Sequence, residues 1–104
     1  MEPEVLERLP GAEIVLPGIA DLKRERMSVN ALAVQAAASR LRHLGLEARS
    51  TDDVEPAAHR LYKQLQQQLG DGAHSRYNAI LRRVSKFIRA AEHANRWTRT
   101  ESDR

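Results

Sequence analysis

The sequence predicts an all-α fold, a small bundle of three main helices with a partly helical N-terminal arm and a C-terminal helical hairpin. Three observations point there. Apolar residues recur at helical spacing in three long segments. Glycine or a Gly-Asp-Gly break closes two of those segments. Only four aromatics are present among 104 residues (one Trp, two Tyr, one Phe), so the core is aliphatic and alanine-rich, which suits close helix packing. A chain of this length buries roughly two-thirds of the surface it exposes unfolded, enough for one core.

Residues 1–27 read as an arm packed on the bundle. "PEVLERL" starts a short helix that Pro10 must stop. The tripeptide "LPG" occurs at 9–11 and again at 16–18, and Pro-Gly suits the central positions of a type II turn. "AEIVL" between the two reads as a strand fragment or an extended arm, and "GIADLKRER" permits a short helix with Ile19 and Leu22 inward.

Ser28 offers an N-cap for a helix over 29–44, which Gly45 ends in a left-handed conformation. Val34, Ala37, Ala38, Leu41 and Leu44 make one apolar stripe, and Val29, Leu32 and Ala36 a second. A helix apolar on two faces belongs in the middle. Its second face is expected to be covered by the arm through Val5, Leu6, Ile14, Ile19 and Leu22.

The next helix is expected over 55–69, with Pro56 in its first turn and Val54, Ala58, Leu61, Leu65 and Leu69 at helical spacing. Gly70-Asp71-Gly72 breaks the chain, and Asp71 is placed to cap a last helix over 72–95. That helix has the strongest amphipathic pattern, Tyr77, Ile80, Leu81, Val84, Phe87, Ile88 and Ala91, and should fold back antiparallel on its predecessor. Residues 96–104 read as a flexible tail. The bundle domain thus spans 28–95.

No cysteine is present, which removes disulfides and thiolate chemistry. The acidic start "MEPEVLERLPG" lacks the features of a signal peptide, and no apolar run reaches membrane-spanning length. A cytoplasmic location with no membrane association is therefore expected.

The histidines are the first place to look for proton-transfer chemistry, and each has a plainer role. His59 follows Glu55 by four residues, a surface pair that lacks the third ligand a metal needs. His43 lies near a helix C-terminus, where positive charge is favoured. His74 and Ser75 crowd the start of the last helix, where unpaired N–H groups attract anions, and they are candidates for an anion site. The same residue types also solvate or cap a helix start. No phosphate-binding glycine loop, HExxH or GxSxG motif is present, so no catalytic residue, cofactor or metal is assigned.

Charge is distributed unevenly. Residues 1–72 hold nine Lys/Arg and eleven Asp/Glu, net −2, whereas 73–104 hold eight and three, net +5. On a helical projection Arg82, Lys86, Arg89 and His93 lie opposite the apolar spine, with Arg76 and Arg83 on a flank. Only Glu92 interrupts the positive charges between 73 and 99. Arg76, Arg82, Arg83, Lys86, Arg89 and Trp97 are the candidate partner-binding residues. Trp97 either folds back on the core beyond a helix end near Asn95 or stays available to a partner. A helix-turn-helix reading of the last two helices fits poorly, because the first of them is too long for a crossed pair.

Two functions are compatible with this pattern. The first is a non-catalytic protein-interaction module with a protein partner or a second copy of itself. The second is a nucleic-acid-binding accessory or regulatory protein that uses the basic face of the last helix.

Overall fold

A computed structural model describes the backbone of residues 3–48 and 55–102, and side chains as far as residue 95. Among the described residues six α-helices follow one another: α1 Pro3–Arg8, α2 Ala12–Lys23, α3 Val29–Ala36, α4 Ala38–His43, α5 Ala57–Leu69 and α6 Ala73–Ser102. A 3-10 turn, Gly70–Gly72, joins α5 to α6. No strand occurs among the described residues, so the all-α class holds.

The arm is more regular than its two Pro-Gly pairs imply. The first pair makes the expected turn, with Gly11 left-handed at φ 84° immediately before α2. The second does not. Pro17 and Gly18 lie inside α2, and Pro17 is exposed, so its ring meets solvent while the helix loses one backbone hydrogen bond. Tertiary packing overrides the local signal: Val15, Ile19 and Leu22 are buried on either side of the proline. Gly18 is required by the same packing, because a Cβ there would lie 2.5 Å from both the Asn30 carbonyl oxygen and Val34 Cγ2 on α3. The extended or strand reading of "AEIVL" is replaced by the first turns of this helix.

The chain then turns at Arg24–Met27 into α3. Ser28 caps it as the sequence predicts, accepting from the Ala31 N–H at 3.0 Å while its hydroxyl donates to Asp21 Oδ2 at 2.6 Å. The expected single helix 29–44 is divided at Ala37, whose φ of −110° leaves the helical region and separates α3 from α4. Gly45 ends α4 at φ 87°. The Leu46 N–H reaches Leu41 O at 3.2 Å and the Gly45 N–H reaches Arg42 O at 2.9 Å, the two bonds of a Schellman ending.

α3 is the centre of the bundle. Ala31, Leu32, Ala33 and Val34 are buried in succession, so the helix is enclosed on all sides over that turn. It packs against α2, α5 and α6. Leu6, Ile14, Ile19 and Leu22 are buried in the core, but α2 meets α3 at Asn30 and Val34, where Gly18 packs, on the first apolar stripe and not the second; Val5 is 40% exposed, and Ala36 at the end of α3 is exposed.

α5 starts at Ala57, one residue later than Pro56 and two later than the sequence suggests. Pro56 stands at the capping position, where its missing N–H costs nothing. Ala57, Leu61 and Leu65 face the core; Ala58 is half-buried and Leu69 is 49% exposed. Val54 lies outside the described residues. Gly72, not Asp71, directly precedes α6, so Asp71 sits in the 3-10 turn, one residue before the capping position.

α6 packs back along α5, with Tyr62 edge-on to Tyr77 at 5.2 Å between ring centres. Its buried side chains Ile80, Val84, Phe87, Ile88 and Ala91 follow the predicted spine. Fully burying Phe87 alone contributes roughly 1.5–3 kcal/mol. The helix does not end near Asn95: its backbone continues through Trp97 to Ser102 in place of a loose segment, while the Trp97 side chain lies outside the described residues. Among the described residues no helix is long and apolar enough to cross a membrane.

Candidate interaction face on the last helix

Burying the spine of α6 against α2, α3 and α5 turns the opposite side of the helix outward. Arg76, Arg82, Lys86 and Arg89 are all exposed. Arg82, Lys86 and Arg89 form no ion pair among the described residues, so no described carboxylate neutralises their charges. The spacing of 82, 86 and 89 keeps them on one side, about 6 and 4.5 Å apart along the axis.

Arg83 has a different role. It is half-buried, and its Nε donates to Glu13 Oε1 at 2.7 Å while Nη2 donates to the same oxygen. Glu13 stands in the first turn of α2, so the bond ties the start of the arm helix to the middle of α6. The Glu13 carboxyl lies below its ordinary range, first because its own backbone N–H donates to it and next because the Arg83 side chain does. Ala79, Arg82, Arg83 and Lys86 line a shallow surface depression beside this bond.

His74 and Ser75 are exposed on the first turn of α6. The His74 ring stands edge-on to Tyr62, 6.4 Å between centres, and its Nε2 lies 3.2 Å from Asn78 Nδ2 one turn along the helix. These contacts orient the imidazole along the hairpin. Both residues lie on the same helix as Arg82, Lys86 and Arg89, but about two turns or more away.

The Glu55–His59 pair is also occupied. Glu55 Oε1 lies 3.2 Å from His59 Nδ1 and 2.7 Å from Lys63 Nζ. The Glu55 carboxyl is lowered by the Lys63 hydrogen bond first, with the charges of Lys63, His59 and Arg60 adding to it. A lysine on the carboxylate opposes a cation there, and no group of three metal-binding side chains occurs among the described residues.

The pairing of Glu13 with Arg83 is the feature of this face that sequence reasoning misses. The partners are separated by 70 residues, and no local pattern links them. Comparison with known protein families, with curated proteins and with solved structures found no match.

Proposed function

We propose that this protein is a non-catalytic helical interaction module of the cytoplasm that binds a protein partner, or a second copy of itself, through the outer face of α6. The observation that supports this reading is the set of three exposed cations, Arg82, Lys86 and Arg89, that no acidic side chain of the described chain neutralises. Opposite charges at i, i+4 stabilise a helix and like charges at that spacing destabilise it by similar amounts, so a one-sign row is better suited to attract a charged surface than to stabilise the helix that carries it. The rigid core beneath holds the row at fixed spacing, which reduces the entropy lost on binding.

The test compares capture of protein from source-cell extract by the wild type and by the Arg82→Gln, Lys86→Gln, Arg89→Gln triple variant. A protein retained by the wild type and lost by the variant is the expected result. A partner held equally by both keeps the module but removes this face from it, and capture of no protein by either sinks the reading.

The same cations favour a second reading, attraction to nucleic-acid phosphates. Four contacts, with Arg76 included, predict a slope of log K against log salt of about −3.6 on duplex DNA. The triple variant should reduce that slope by roughly 2.7. Wild-type affinity no tighter than about 10 μM at physiological salt is expected, within the non-specific range; a submicromolar, charge-dependent affinity promotes this reading over the first.

A further inference from the structure

We infer that the depression lined by Ala79, Arg82, Arg83 and Lys86, continued by Arg89, is a docking surface for an acidic helix of a partner protein. The inference rests on the protein-interaction reading above and specifies the partner's chemistry.

The floor and rim of the depression differ in character. Ala79 is half-buried and contributes only a methyl group, and Arg82, Arg83 and Lys86 line the hollow with it, Arg82 and Lys86 exposed and Arg83 half-buried with its guanidinium on Glu13. Ala90 lies on the same side of α6, three turns beyond Ala79, and is also half-buried. The hollow over Ala79 leaves room for a side chain of a second helix lying alongside. Cations at 82, 86 and 89 then meet carboxylates at i, i+4 and i+7 of that helix, because two helices side by side share the same rise of about 1.5 Å per residue.

The negative charge already present selects between a protein and a nucleic acid. Glu13 reaches into this region from α2, and its side chain remains 56% exposed while bonded to Arg83. Duplex DNA carries about one negative charge per 1.7 Å of axis, so a duplex laid over Arg82 and Lys86 also brings phosphates toward the Glu13 carboxylate. A helix with discrete carboxylates can place them on Arg82, Lys86 and Arg89 and set a neutral residue against Glu13. The Glu13–Arg83 bond also shows which anion a guanidinium on this flank accepts in the folded chain.

The probe is a synthetic amphipathic helix of Ala, Leu and Glu with its glutamates at i, i+4 and i+7, labelled for fluorescence anisotropy against the full chain. Binding that weakens by about tenfold or more in the Arg82→Gln, Lys86→Gln, Arg89→Gln variant is expected. A peptide with Lys in place of each Glu should fail on the wild type and bind the variant in which the three cations become Glu. Circular dichroism of both variants should match the wild type, since all three side chains lie in solvent. Equal binding of a peptide with Gln in place of Glu, an unaffected triple variant, tighter binding of duplex or single-stranded DNA, or no peptide binding overturns the inference. Loss of a captured protein in the triple variant, alongside failure of the peptide, leaves the module reading standing and removes only the acidic-helix partner.

Discussion

Arg83 and Glu13 are joined by two hydrogen bonds to one carboxylate oxygen, across 70 residues of chain, at the place where the arm helix α2 meets α6. The contact is close in the backbone as well: a Cβ on Gly11, two residues before Glu13, would overlap the Arg83 carbonyl oxygen and lie 3.0 Å from Phe87 Cβ. Docking of the arm therefore combines an exposed ion pair with a tight backbone approach, and the two differ in energetic weight.

The ion pair should be worth little. Its side chains are 42% and 56% exposed, so a double-mutant cycle with Glu13→Gln and Arg83→Ala should give a coupling of about 0.2–1 kcal/mol. Because folding lowers the Glu13 pKa, the group contributes stability above its ordinary value of 4.5 and loses it as pH falls through the folded value. The stability gap between wild type and Glu13→Gln, measured by urea denaturation, should narrow only in that acidic window.

The backbone approach should be worth more. Gly11→Ala must place a side chain at positive φ and into the α6 backbone, a loss of at least about 2 kcal/mol. Gly45→Ala has the same sign of φ but nothing within 4 Å, so it should cost roughly 1–2 kcal/mol. Equal losses in denaturant midpoint at the two sites would contradict this account of the arm contact.

Pro17→Ala should stabilise the protein by about 1–2 kcal/mol, seen as a higher urea midpoint with unchanged slope. The ring is exposed, and alanine restores the N–H that α2 lacks at that point. A neutral or destabilising outcome would mean that the proline contacts hold α2 in its packed geometry.

Ser28→Ala removes the acceptor for the Ala31 N–H and the donor to Asp21, and should cost about 1 kcal/mol. Ser28→Asp keeps the cap but places a carboxylate against Asp21, so it should recover less than Ser28→Asn does.

Deletion of residues 1–22 removes α1 and nearly all of α2, and with them the helix that packs on α3 at Asn30 and Val34. Oligomerisation or loss of solubility should follow, measured by sedimentation. A truncated chain that stays monomeric and equally stable would show that the arm is dispensable to the core.

Periodicity determined the helical class and the inward face of α6, and residue chemistry the Ser28 cap and the Gly45 ending, because each depends on residues within a few positions of one another. The outward placement of Arg82, Lys86 and Arg89 followed from the same projection. Tertiary structure decided the rest. Pro17 and Gly18 have the local chemistry of a turn, yet burying Val15, Ile19 and Leu22 against α3 keeps them helical, a gain that comes only from residues distant in sequence. The division at Ala37 has no proline or glycine to announce it. The projection puts Arg83 on the flank of the row that holds Arg82, but only the docking of α2 gives Arg83 a carboxylate and leaves Arg82 in the open row. Local preferences act over about one helical turn; which charge is neutralised depends on what the fold brings beside it.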